Sequence, residues 1–114
     1  MPVLLVRSEA FELDVRAQVD WLEEHLELER LLRFSDELHQ LEALLASFPE
    51  LGVGVEVSAV HFRKALFSSL PFLIWYRHGP PRDEVQLLRL FHAHQDRPMG
   101  RPRRQSVRKK RAVR

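Results

Sequence analysis

VHFRKALFSSLPFLIWYRHGPPRDEVQLLRLFHAHQDRP, residues Val60 to Pro98, reads as three extended segments joined by turns. The first is predicted over Val60–Leu66, followed by a turn at Ser68-Ser69. The second runs over Leu70–Arg77 and the third over Glu84–His92. The Pro-rich stretch His78–Asp83 between them cannot pair and is expected to be an exposed loop. On the second segment Leu70, Phe72, Ile74 and Tyr76 share one face, with Leu73 and Trp75 on the other. On the third, Val85, Leu87 and Phe91 oppose Leu88 and Leu90. Both faces are therefore apolar, which sets the demand that the rest of the chain must meet.

Upstream, two stripes of helical period answer that demand on one side. Phe11, Val15, Val19, Leu22 and Leu26 predict a helix over Glu9–Leu26, flanked by Trp21 and started by Ser8 as N-cap. Leu31, Phe34, Leu38, Leu41, Leu45 and Phe48 predict a second over Leu28–Ser47, ended by Pro49, Gly52 and Gly54. Matched stripes favour an antiparallel hairpin, although neither Gly nor Pro marks the junction near Glu27 and one long helix is the alternative. Val3–Val6 is β-branched and apolar on both faces, and is expected to be an inner strand or one covered on both sides. Val53, Val55 and Val57 alternate as an edge strand would, with two glycines against it. The fold class is thus α+β: an N-terminal strand, an antiparallel helical hairpin, then a three-stranded antiparallel meander. Two helices cover only one face of such a sheet. The other is covered by a partner, or by the sheet curling on itself or by residues 50–59.

The 114 residues make one small domain, 1–98, with an appended segment, 99–114. The formal charge of +2 hides an asymmetry. Residues 99–114 hold eight of the 18 basic residues and no acid, leaving ten against all 16 acids in the body. An acidic body argues against a globally basic nucleic-acid-binding surface. The tail is expected to be disordered when free; it could contact nucleic acid, with steep salt dependence, or equally an acidic partner, or be an extension without a role. The chain has no cysteine, which suits a reducing cytoplasm. Neither a secretory leader nor a membrane span is expected.

The candidate functional residues gather on and after the meander. Arg63 and Lys64 are neighbours on opposite faces, suited to phosphate or an acidic peptide, or simply to guarding a strand edge with charge. Arg89 interrupts an apolar face and must meet an acid, within the fold or on a partner. Trp75 and Arg77 belong to the same region. His92 and His94 share a strand face and, with Gln95, Asp96 and Arg97, form a polar cluster where the apolar strand runs out. That cluster is read as a partner contact. His92, His94 and Arg63 are the candidates for acid–base work. No metal site and no cofactor are expected.

These pieces in order resemble the RelE/ParE superfamily of type II toxin–antitoxin toxins, the ParE-like branch above all. Arg33–Leu38 and Leu44–Gly52 are similar to the family's second helix and its Phe-Pro-x-x-Gly exit. Phe62-Arg63 is similar to its Leu-Arg, and Pro71–Arg77 to its Tyr-x-Ile-x-Tyr-Arg strand. Val85–Asp96 is similar to its closing Val-x-Ile-x-x-Val-x-His-x-Arg-Gln-Asp. The resemblance, which covers about residues 3–97, implies a toxin neutralised by a cognate antitoxin and acting on DNA gyrase by contact, or on mRNA in the ribosome as an endonuclease. The nuclease set is depleted. Leu73 stands where that branch has Arg, His94 replaces the closing Arg, and no tyrosine follows Arg97. A contact inhibitor is the expectation, with the endonuclease and a non-toxic partner-binding relic as alternatives.

Overall fold

The computed structural model describes residues 3–79 and 83–93. His94, Gln95, Asp96, Arg97 and the basic segment 99–114 lie outside the described residues. The elements run β1 (Leu4–Arg7), α1 (Glu9–Glu24), α2 (Leu28–Ser47), β2 (Val53–Val57), β3 (Val60–Leu66), β4 (Phe72–Gly79) and β5 (Glu84–His92). They form one five-stranded sheet in the order β1-β5-β4-β3-β2. The strands β2 to β5 are antiparallel neighbours, and β1 pairs with β5 in parallel, Leu4 opposite Glu84 through Arg7 opposite Leu87. The α+β class holds, as a mixed rather than purely antiparallel sheet. The valines at 53–57 do form an edge strand. His78 and Gly79, expected in the loop, extend β4.

The helical hairpin lies on one face of this sheet. Phe11 and Leu22 of α1 and Phe34, Leu38, Leu41 and Leu45 of α2 are buried against Ala65, Phe72, Ile74, Tyr76, Val85, Leu87 and Leu90. Both stripes are as expected except at their ends. Phe48 caps the end of α2 and is exposed. Leu26 leaves the α1 stripe because the helix stops at Glu24. Its backbone is left-handed, φ 55°. Glu27 N–H reaches back to the Leu22 carbonyl at 2.9 Å, and Leu26 N–H to that of Glu23 at 3.1 Å. This is the Schellman closure with leucine in the place glycine usually takes. The hairpin therefore turns without the residue that would have announced the turn.

β1 departs from expectation. It is an edge strand, and Leu4 is 63% exposed. Its apolar character serves the helix side, where Leu5 packs on the core. The second departure is a bulge. Trp75 pairs with Arg89 but the next residue, Tyr76, pairs with Leu87, so Leu88 is extra. One extra residue reverses the facing of everything beyond it. Leu90, not Phe91, thus joins Val85 and Leu87 in the core. Ser8 is built around this irregularity. Its side chain accepts from Phe11 N–H as the α1 cap and donates to the Leu88 carbonyl, both at 3.0 Å.

One buried acid ties α2 to the β3–β4 turn. Glu37 lies on the stripe side of α2 beside Leu38 and Leu41 and is buried. Its carboxylate accepts from Ser69 N–H at 2.9 Å, from Leu70 N–H at 3.1 Å and from the Ser69 hydroxyl. Burial by itself would raise its pKa, but the donors from Ser69, Leu70 and Ser68 outweigh it and hold the carboxyl below its ordinary value. A depressed carboxyl stabilises the fold above the unfolded value and loses that contribution as pH falls through the folded one. Glu37→Gln is expected to lower stability at neutral pH by about 1–3 kcal/mol, since one or more donors lose a charged acceptor. Urea unfolding of both proteins should show the gap closing once the pH drops below the ordinary glutamate value, as wild type loses the same charge.

Candidate functional site

Three of the candidate residues meet in one row across the sheet. Lys64 on β3 is opposite Trp75 on β4, and Trp75 is opposite Arg89 on β5. The row lies on the outer face, away from the helices. The Lys64 ammonium stands 5.3 Å from the Trp75 ring centroid, and the Arg89 guanidinium 5.2 Å from that of Phe91. Phe62 and Phe91 flank the indole at 5.6 and 6.0 Å. The result is a ladder of three aromatic rings bordered by two cations. Arg77 is exposed one step off the row, with its guanidinium 3.4 Å from the Gln86 amide oxygen.

The outer face is less open than the sequence predicts. Leu73 and Trp75 are only 4% and 1% exposed, although both point away from the helices. The apolar surface that remains open lies at the margins, notably Leu66. The charge-guarded edge does not apply to Arg63 and Lys64 either, because β2 covers that side of β3.

The remaining candidates are committed elsewhere. Arg63 points to the helix side. There it donates to the Gly52 carbonyl at 2.8 Å and the Glu50 carbonyl at 3.3 Å, with the Glu50 carboxylate at 3.9 Å. Tyr76, the single tyrosine of the chain, is fully buried. Its hydroxyl donates to the Pro49 carbonyl and accepts from Gly52 N–H, both at 2.8 Å. Burial pushes its phenol above the ordinary value, with Gly52 N–H and Arg63 pulling the other way. The group stays protonated at neutral pH. Arg89 meets its acid within the fold rather than on a partner. Asp14 of α1 takes its guanidinium in two hydrogen bonds, 2.8 and 3.1 Å, and also accepts Leu90 N–H at 2.9 Å. Asp14 thereby serves the part of β5 that runs on beyond the end of β1.

His92 sits on the opposite face from the cation–aromatic row. It packs edge-on to Phe72 at 5.4 Å and lines a cleft of about 610 Å³ between the helices and the β4–β5 end. Asp14, Trp21, Arg30, Pro71 and Leu90 share that cleft. The structure thus divides the candidates into an outer row and an inner cleft. The cleft, Glu37 and Asp14 were not among the sequence candidates. Glu37 had a signal, since it falls on the buried side of its own stripe at i+3 from Phe34. Asp14 had none.

No family model matches this chain, and no curated protein matches it. A chain of the solved chromosomal ParDE TA system from P. aeruginosa superposes on it with a TM-score of 0.64. The two are 19% identical, over 79% of this chain and 95% of that one. The chain has a RelE/ParE-like fold. Within that fold the Phe-Pro-x-x-Gly exit acquires a physical reason. A Cβ on Gly52 would lie 2.6 Å from the Lys64 carbonyl and 2.8 Å from the Tyr76 ring. Only glycine lets the loop come close enough for the Tyr76 hydroxyl to hold it. Gly52→Ala, which overpacks the contact, and Tyr76→Phe, which orphans the buried Gly52 N–H, should each lower stability by about 1–3 kcal/mol. Urea midpoints measured at unchanged slope would show it.

Proposed function

We propose that this chain is the toxin of a type II toxin–antitoxin module of ParE-like kind. It arrests growth in the cytoplasm by binding a protein target such as DNA gyrase, and a cognate antitoxin neutralises it. The RelE/ParE-like fold and its neighbour in a ParDE system support the module. The observation that carries contact inhibition over catalysis is the commitment of Tyr76 and Arg63 to the α2–β2 loop. Metal-free RNA cleavage needs one group to take the 2′-OH proton, another to protonate the leaving oxygen, and cations to hold the phosphate. A buried phenol with donor and acceptor both in use does not serve as either. An arginine holding two carbonyls is a poor phosphate clamp. Protein contact needs none of this: it calls for accessible surface, such as Leu66 and Arg77 at the margins of the outer face, rather than an acid–base pair.

Induced expression of the chain alone in a bacterial host, with growth and mRNA integrity followed together, tests this. Arrest with intact mRNA is expected. Arrest with fragmented mRNA would overturn the contact reading in favour of a ribosome-dependent endonuclease using His92, His94 or Arg63. Undisturbed growth with folded protein would leave a partner-binding relic without toxicity.

A further inference from the structure

The sheet has two edges, and they are not alike. At β1 the chain is tied down. Val3 N–H donates to the Ala46 carbonyl of α2 at 2.9 Å, and Arg7 holds the Glu42 carboxylate at 2.7 and 2.9 Å. At β2 no described residue pairs with the far side of the strand. Native edges are commonly blunted by lysine, proline or a bulge. The edge Val53-Gly54-Val55-Glu56-Val57 has none of these, and Val53 is 73% exposed.

The hairpin fixes which backbone groups this edge offers. Ser58 and Ala59, both left-handed at φ 50° and 66°, close β2 onto β3 as a two-residue turn. In such a hairpin the pair beside the turn, Val57 and Val60, exchanges both hydrogen bonds, and bonded pairs alternate from there. Val53, Val55 and Val57 therefore bond to β3, while Gly54 and Glu56 turn N–H and C=O to the free side. The valines lie on the outer face beside Val60 and Phe62.

Gly54 is the second observation. Its backbone is not left-handed. Among the described residues a Cβ there would meet only the His61 imidazole, at 3.3 and 3.5 Å, and that side chain can turn aside. Neither conformation nor crowding within the chain calls for glycine. Its missing side chain leaves a gap on the inner face, with Arg63 directly opposite and His61 leaning over it. A glycine inside a strand marks a close approach by something else, and nitrogen-bearing neighbours suit a carboxylate. The strand carries one itself, Glu56, two residues on.

We infer that β2 pairs antiparallel with β2 of a second copy of this chain, about a two-fold axis at Val55. Gly54 then exchanges both hydrogen bonds with Glu56 of the second copy, whose carboxylate enters the gap beside Arg63 and His61. Val55 faces its own counterpart, and Val53 faces Val57, in one apolar seam on the outer face. Neighbouring registers fail. An axis at Glu56 sets like charges face to face. An axis at Gly54 pairs Glu56 with Gly52, whose N–H and C=O are already held by Tyr76 and Arg63. The seam is short, so the dimer is weak and forms with concentration. The inference stands on the edge, the register and the charge, and does not depend on the chain being a toxin.

The absence of native cysteine makes the test direct. Opposed residues of the new ladder that are not hydrogen-bonded lie about 4.5 Å apart at Cα, within disulfide reach. Val55→Cys in the full chain should therefore cross-link into a dimer under glutathione disulfide several-fold faster than Leu66→Cys, which is 69% exposed on the same face. Equal rates would overturn the register. Sedimentation without cross-linking reads the charge. Wild type should shift from monomer toward dimer as concentration rises. Glu56→Lys and His61→Glu should each weaken that shift several-fold. An equimolar mixture of the two should recover it, because one site regains opposite charges and the other keeps its native pair. A mixture that stays as weak as its components would contradict the proposed contact. Wild type monomeric at every concentration would overturn the dimer and leave this edge to a strand from another protein.

Discussion

Five consecutive residues of the central strand, Phe72 to Tyr76, are buried. Successive side chains of a strand point to opposite faces, so this run requires apolar cover on both sides of the sheet at once. The helical hairpin meets the requirement for Phe72, Ile74 and Tyr76. It cannot meet it for Leu73 and Trp75. Much else in the molecule follows from that asymmetry. The inner face is a packed core in the ordinary sense, with Phe34 against Phe67 and Phe72 at 5.6 and 5.2 Å between ring centres. The outer face is a thin aromatic layer edged by cations.

Three polar anchors fix the hairpin on the inner face, and each is fully answered. Glu37 takes the β3–β4 turn, Tyr76 takes the α2–β2 loop, and Asp14 takes both Arg89 and the outlying edge of β5. A buried polar group with its partners in place specifies position where apolar contact alone permits sliding, and it costs heavily once half-satisfied. The same bonds have a functional consequence. Residues with the chemistry of a nuclease are present in type, but Arg63, Tyr76 and Arg89 spend their hydrogen bonds on architecture.

Much of the fold was legible in the residues. Helical periods at Phe11–Leu22 and Leu31–Leu45 placed the hairpin, Ser8 placed its start, and the alternating runs placed the meander. Other features needed geometry. The bulge at Leu88 carries no residue signature, yet it exchanges Phe91 for Leu90 in the core. Leu26 adopts a left-handed backbone without being glycine, so the end of α1 was set two residues late. β1 is as apolar as an inner strand because its helix-facing side is needed, and pairing alone determined that it forms an edge. Of the candidate site, the types were readable and the allegiances were not. Arg89 had to meet an acid, but nothing in the sequence singles out Asp14, 75 residues away. Arg63 and Lys64 were rightly placed on opposite faces, and only the structure shows that one holds a loop while the other borders the aromatic row.

The account rests on inhibition by contact, and the most direct measurement is DNA supercoiling by purified gyrase titrated with the purified, folded chain. Loss of supercoiling as the chain reaches stoichiometry with the enzyme is the predicted result. Undiminished supercoiling in the presence of a large excess would contradict gyrase as the target and return the outer face to the search for another partner.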